Sequence, residues 1–137
     1  MIKIEELTNK DYLPIVYEVS HHFEGDYVGI DVYMACKKDT IKGGGLDGLP
    51  ILRGQHVKTY SPSGYFITSK TKDKNGLTQI GGHFKGDEEF LFTDLKDALK
   101  KYNDVVEETI QKHLKQISLN NKERIKLLTK VLIEENS

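Results

Sequence analysis

The 137-residue chain has very little cysteine and no long apolar run. Its one cysteine, Cys36, excludes an internal disulfide and any zinc site built from several cysteines, and it favours a reducing compartment, the cytoplasm. No apolar stretch approaches the roughly 18 residues of a membrane-spanning helix, so we expect no membrane association. The opening MIKIEEL also lacks the charged and apolar parts of a secretory leader.

Arginine is scarce, with two residues against eighteen lysines. Arginine is the usual bidentate reader of guanine edges, so its scarcity argues against sequence-specific binding of duplex DNA. Lysine still serves as a point charge for phosphate. A small phosphorylated ligand therefore stays compatible with the composition.

Charge is unevenly distributed along the chain. The net charge is -5 over residues 1–36, +6 over 37–85 and -2 over 86–137, which gives -1 in total. A basic middle segment attracts an anionic partner, although exposed strands also carry lysine to prevent pairing with other chains.

Alternating hydrophobicity and turn sequences predict an antiparallel β-sheet of about five to six strands. The first two strands form a hairpin, residues 37–55 form a glycine-rich loop, and the later strands form a meander. Asn-Gly and Ser-Pro-Ser-Gly supply its turns. The predicted strands are Ile15–Ser20, Val28–Cys36, His56–Tyr60, Gly64–Lys72, Leu77–Lys85 and Glu88–Phe92. On the second strand, Val28, Ile30, Val32, Met34 and Cys36 are expected to share one face.

The C-terminal third predicts two helices. Thr93 is a suitable N-cap for a long amphipathic helix, and Asn120 begins a shorter second helix after a loop at Ser118–Asn120. Strands followed by helices indicate a single α+β domain over residues 1–137, strand-rich to residue 92 and helical from 93. The last helix either packs on the first or forms a homodimer with another subunit.

Two features of the basic middle predict an anion site. Glycines let backbone N–H groups approach an anion, although the loop does not match the Walker A spacing. Basic and aromatic side chains on a sheet face could also stack on bases. The predicted ligand-binding residues are Lys42, Gly43, Gly44, Gly45, Arg53, His56, Lys58, Tyr60, Phe66, His83 and Lys85.

A repeated pattern suggests a catalytic alternative. His56-Val57-Lys58 and His83-Phe84-Lys85 share a His-apolar-Lys order. This resembles the paired His-apolar-Ser/Thr motifs of two-histidine phosphoesterases, with lysine in place of the hydroxyl residue. The resemblance implies acid–base cleavage of a phosphodiester by the two histidines.

Other signatures of chemistry are missing. There is no HExxH helix, cysteine cluster or G-x-S-x-G elbow, so we predict no metal, no cofactor and no assigned catalytic residue. Cys36 ends an apolar strand face, which favours a buried and inert thiol.

Three functions follow from these observations. The first is a non-enzymatic binding protein for a nucleotide-like molecule or single-stranded nucleic acid. The second is a small inhibitor or immunity-type protein, of the kind that phages and mobile elements encode, that docks a protein partner. The third is the two-histidine phosphodiesterase. Because the sequence contains no dense set of catalytic residues, we expect a binding protein rather than an enzyme.

Overall fold

A computed structural model describes residues 1–22, 26–66, 76–81 and 88–136. A short 3-10 helix, Ile4–Glu6, precedes the sheet, and a second, Gly44–Leu46, lies in the loop between the second and third strands. The main elements are β1 (Tyr12–His22), β2 (Tyr27–Thr40), β3 (Pro50–Ser61), β4 (Gly64–Phe66), β5 (Thr78–Ile80), β6 (Leu91–Phe92) and α1 (Leu95–Glu135).

The sheet is antiparallel, and five of its strands lie in the order β4-β3-β2-β1-β6. An antiparallel sheet followed by a long helix confirms the predicted α+β class. β1 and β2 form the predicted hairpin, with Val16 opposite Tyr33 and Ser20 opposite Gly29. The chain divides into two compact units, Met1–Asn103 and Asp104–Ser137, so the first unit contains the whole sheet.

The predicted meander is only partly correct. β3 and β4 pair through the expected turn, with Ser61 opposite Gly64. Within the described residues, however, β5 pairs with the beginning of β3, and β6 pairs with β1. The reason is the length of β3. It has 12 residues and pairs with β4 only at its C-terminal end. The backbone N–H and C=O groups near Leu52 therefore remain available, and they pair with β5.

The predicted loop over residues 37–55 is also too long. β2 continues to Thr40, β3 begins at Pro50, and these two residues are paired. The Ile41 N–H donates to the Leu49 carbonyl at 3.0 Å, and the Gly48 N–H donates to the Ile41 carbonyl at 2.8 Å. Backbone pairing therefore closes a compact loop of residues 41–49.

The expected common face on β2 is interrupted by two register shifts against β3. They lie between Val32 and Tyr33 and between Met34 and Lys37, and Ala35 has a positive φ of 55°. Met34 is therefore 45% exposed, whereas Cys36 is fully buried. An irregular residue changes which face later side chains occupy, and simple alternation does not anticipate it.

The main core cluster lies on one face of the sheet and is closed by the N-terminal segment, while Val19, Ile30 and Val32 are buried on the other face. Ile2 and Ile4 come from that segment, and the Ile2 N–H donates to the Leu91 carbonyl at 2.9 Å. The remaining buried members of this cluster come from the strands: Val16, Tyr33, Cys36, Leu52, Ile80 and Leu91.

Gly54 is required by the packing of this core. A Cβ at Gly54 would lie 2.5 Å from the Cys36 Sγ and 3.2 Å from the Met34 carbonyl oxygen. We expect Gly54→Ala to lower the free energy of unfolding by about 1–3 kcal/mol, the usual cost of overpacking. Gly45→Ala is the control, because nothing lies within 4 Å of a Cβ there. Equal urea midpoints for the two variants would contradict this account of the core.

The predicted second helix is wrong, because α1 is continuous from Leu95 to Glu135. No glycine or proline lies in the region where a break was expected. The Gln116 side chain donates to the Asn120 Oδ1 at 2.9 Å, and Arg124 donates to the Asn121 Oδ1 at 2.7 Å. The two asparagines thus bond to side chains of the same helix rather than capping a new one.

None of the helices in the described ranges is both long enough and apolar enough to cross a membrane.

Candidate functional site

The predicted basic face of β3 is divided between the two sides of the sheet. His56 is opposite Tyr33 and Thr59 is opposite Asp31, whereas Lys58 is opposite Val32. Paired residues on antiparallel strands share a face, and Asp31 and Tyr33 alternate with Val32. His56 and Thr59 therefore lie on one face, and Lys58 lies on the other.

A buried carboxylate, Asp31, is the centre of the polar cluster on the His56 side. Ser20 Oγ donates to Asp31 Oδ2 at 2.7 Å, and Thr59 Oγ1 donates to Oδ1. His22 Nε2 lies 3.1 Å from the same Oδ1, and His56 Nε2 lies 3.4 Å from it. We call these five residues, Ser20, His22, Asp31, His56 and Thr59, the Asp31 cluster.

Burial alone would raise the pKa of Asp31, because it disfavours the charged form. Hydrogen bonds from His56, Thr59 and Ser20, together with the charge of His22, outweigh burial and hold the pKa of Asp31 below its usual value. The Asp31 side chain is only 8% exposed. The cluster therefore contains a stable buried carboxylate.

The hydrogen-bond pattern fixes the roles of the two histidines. The Ser20 and Thr59 hydroxyls donate to Asp31, so their oxygens are left to accept from His22 Nε2 at 3.1 Å and His56 Nε2 at 3.0 Å. Both Nε2 atoms must therefore carry hydrogen. Neither Nε2 atom is then a general base in this arrangement.

The same geometry differs from a serine-protease triad. In a triad, one imidazole nitrogen faces the serine and the other faces the aspartate. Here the single Nε2 of His22 contacts both Ser20 and Asp31. Across the described ranges, no group of three acidic, histidine or cysteine side chains is arranged to hold a metal ion.

Aromatic rings and a second carboxylate extend the cluster. His22 stacks on Tyr27 with centroids 4.8 Å apart, and Tyr33 meets His56 edge-on at 5.1 Å. The Tyr33 hydroxyl donates to Glu18 Oε1 at 3.3 Å, and Glu18 Oε2 accepts from the Gly81 N–H at 3.0 Å. Burial and Glu18 raise the pKa of Tyr33, which keeps this phenol a hydrogen-bond donor.

This arrangement binds strands together. No buried side-chain polar atom in the described part of the chain lacks a hydrogen-bond partner. The cluster joins β1, β2 and β3, and its hydrogen bonds are satisfied within the protein. Its geometry is that of a polar structural core.

The glycine-rich loop is engaged with its own aspartate. The Gly43 N–H donates to Asp47 Oδ1 at 2.7 Å, so the carboxylate occupies a donor that the sequence assigned to an anion. Gly43 and Gly44 both have positive φ, and Lys42, Gly44 and Gly45 are exposed.

The remaining predicted ligand residues have the following positions. Arg53 Nε pairs with Asp39 Oδ2 at 3.0 Å, and Lys58 Nζ lies 5.0 Å from the centre of the Tyr60 ring. Phe66 ends β4. His83 and Lys85 lie outside the described residues. The structure therefore does not test the resemblance between the two His-apolar-Lys segments.

Sequence reasoning identified His56 but missed the other four members of the Asp31 cluster. Asp31 lies in the middle of the most apolar strand, and that is the signal that could have been used. A charge there is expensive unless neighbouring strands supply partners. Which residues those are depends on strand register, which one strand's sequence does not contain.

Cys36 is buried in the core, as the sequence predicted. Burial raises the pKa of its thiol to about 12. We expect the folded protein to react with a thiol reagent at neutral pH far more slowly than the urea-unfolded protein, by about 100-fold or more, because the thiolate is the reactive form. Ellman's reagent measures both rates, and equal rates would contradict the burial.

The exposed face of α1 is the second candidate site. The Asp104–Ser137 unit holds this part of the helix, and none of residues 104–136 is buried. Ten large aliphatic side chains are nevertheless exposed there: Ile110, Leu114, Ile117, Leu119, Ile125, Leu127, Leu128, Val131, Leu132 and Ile133.

Most of these side chains lie on one side of the helix. At about 100° per residue, a stripe less than half the circumference wide contains Val106, Ile110, Leu114, Ile117, Ile125, Leu128, Val131 and Leu132. We call these eight residues the α1 stripe. Leu119 is nine residues from Leu128 and therefore faces the opposite side.

The chain was compared with family models, curated proteins and solved structures, and none matches it. The geometry of the two candidate sites is therefore the basis for a function.

Proposed function

We propose that this chain is a self-assembling protein whose association element is the α1 stripe. The observation that carries the proposal is the exposure of seven of the eight stripe residues, all but Val106, on a helix with no buried residue over 104–136. Continuous apolar patches of this kind are uncommon on monomers and mark interaction surfaces.

Helix energetics support the same proposal. An isolated helix in water is marginally stable, and most helices in proteins depend on packing of an apolar face. Residues 104–136 form a helix to Glu135 with no buried side chain. Association would bury the α1 stripe and stabilise the helix at the same time.

Charge supports a second copy as the partner. Residues 104–136 carry six acidic and six basic side chains, so this segment has no net charge. Two copies of this segment therefore do not repel one another. A strongly acidic or basic partner would gain little electrostatic attraction from it. Docking a different protein, the inhibitor-type alternative, uses the same surface and is an outcome of the tests below.

Binding of an anion draws less support from the geometry. Asp39 and Asp47 already engage Arg53 and the Gly43 N–H, and His56 and Lys58 lie on opposite faces. A phosphodiesterase also draws little support, because His56 Nε2 is a donor within the Asp31 cluster.

Amide hydrogen exchange of the full-length chain tests the proposal. At high protein concentration we expect slow exchange for the amides of residues 106–132, because association stabilises the helix. On dilution below the dissociation constant, these amides should exchange at least about 10-fold faster, while those of β1–β3 stay unchanged. Exchange of residues 106–132 that is independent of concentration would overturn the proposal.

A further inference from the structure

Polar residues also lie within the arc of the α1 stripe, with Glu107 and His113 at its edges and two more in its middle. Asn121 and Arg124 lie on the same side of the helix as the aliphatic residues. Arg124 Nη2 donates to Asn121 Oδ1 at 2.7 Å within the helix, and both side chains are exposed. Any partner must accommodate this polar pair in the middle of an apolar contact.

A parallel pair of helices accommodates it poorly. In a parallel, in-register pair, each stripe residue faces its own counterpart, so two Arg124 guanidinium groups would meet. Like charges at a contact that excludes water destabilise it. The neutral Asn121 layer would be tolerated, but the Arg124 layer would not.

An antiparallel pair resolves the conflict. When the two-fold axis passes between Lys122 and Glu123, residue 121 of one copy faces residue 124 of the other. Each Asn121 Oδ1 can then accept a hydrogen bond from the Arg124 of the second copy. Each basic group meets a neutral acceptor instead of another cation.

The same axis also pairs four of the eight stripe residues with one another. Leu114 faces Val131 of the second copy, and Ile117 faces Leu128. These two aliphatic contacts flank the central polar layers on both sides, whereas Ile110 faces Glu135, Ile125 faces Asn120 and Leu132 faces His113.

We infer that the α1 stripe binds a second copy of the chain in antiparallel orientation, with Asn121 of each copy facing Arg124 of the other. This inference rests on the proposed self-assembly and adds its partner orientation. The polar interruption then selects orientation and register, as single polar positions do in other helix pairs.

Disulfide trapping tests the orientation in the full-length protein. Ile117→Cys and Leu128→Cys are made separately, and each is oxidised with oxidised glutathione, alone and after mixing the two proteins. A disulfide needs Cα atoms within about 7 Å. We expect disulfide-linked dimers from the mixture and none from either variant alone, because residue 117 faces residue 128. The unmodified chain, whose one thiol is buried, is the control.

The outcomes separate the two levels of the proposal. Dimers formed by each variant alone would show a parallel pair and overturn the inference while leaving self-assembly intact. Monomers throughout, with a monomeric mass, would overturn self-assembly as well. Leu114→Cys with Val131→Cys is the second pair, and it must give the same pattern if the first pair disturbs the helix.

Discussion

Replacing Leu128 with aspartate should abolish self-association. Leu128 is 55% exposed in the single chain and lies within the α1 stripe. Association would bury an unpaired carboxylate at this position in both copies, at a cost of at least about 4 kcal/mol in total. The dissociation constant is therefore expected to rise by about 1,000-fold or more. Sedimentation velocity over a concentration series measures this change.

Leu119→Asp is the matched control. Leu119 has the same 55% exposure and belongs to the same helix, but it lies on the opposite side. It makes the same change in charge and in helix propensity, so we expect its dissociation constant to stay within about 3-fold of the unmodified chain. If both variants weaken association equally, the cause is loss of helix and the stripe has no special role.

Replacing Asp31 with alanine should destabilise the sheet severely. Asp31 accepts hydrogen bonds from Ser20 and Thr59 and contacts two imidazoles. Its removal leaves these donors without their acceptor in a buried place. We expect a loss of about 3 kcal/mol in the free energy of unfolding at neutral pH. Urea denaturation followed by circular dichroism measures it.

The pH dependence of this loss has a defined sign. The folded state holds the pKa of Asp31 below its usual value. Its ionised form therefore adds stability above the unfolded-state pKa of about 4, and that contribution disappears as pH falls through the lower folded-state pKa. The difference between the unmodified chain and Asp31→Ala should shrink in acid.

Asp39→Ala is the control for this experiment. Asp39 pairs with Arg53 at 3.0 Å, but its side chain is 44% exposed. We expect a loss of about 1 kcal/mol or less, because exposed ion pairs contribute little. An Asp31→Ala variant that unfolds at the same urea concentration as Asp39→Ala would contradict the structural role of the Asp31 cluster.

Local sequence signals predicted the elements of the fold well. Alternation located the β2 strand, and Ser-Pro-Ser-Gly located the turn between β3 and β4. These signals are local, since they depend on residues within a few positions of each other. The start of α1 was predicted to within one residue, because the N-cap is Asp94 rather than the predicted Thr93: α1 begins at Leu95, and Asp94 Oδ1 accepts from the Lys96 N–H at 2.8 Å.

Features that depend on pairing were missed. The irregularity near Ala35 separates buried Cys36 from exposed Met34, and the register shift at Val32 places His56 beside Asp31. Alternation of apolar and polar residues cannot show where side chains switch from one face of the sheet to the other, because the switch depends on pairing with the neighbouring strand. Two residues of the predicted anion site are separated in this way: His56 and Lys58 are two positions apart but face opposite sides.

The interruption of the helix was overestimated for a related reason. Asparagines near residue 120 resemble a cap, but capping and side-chain bonding within a helix use the same groups. Asn121 bonds to Arg124, so the chain continues as α1. The apolar stripe itself was visible in the sequence, and its exposure over residues 104–136 required the structure.

Native mass spectrometry of the full-length, unmodified chain tests self-assembly most directly. The account predicts a main species of roughly 31 kDa, two copies of the 15.6 kDa chain, which dissociates to single chains on dilution. A mass of 15.6 kDa at every concentration, or a complex containing only a different protein, would contradict it.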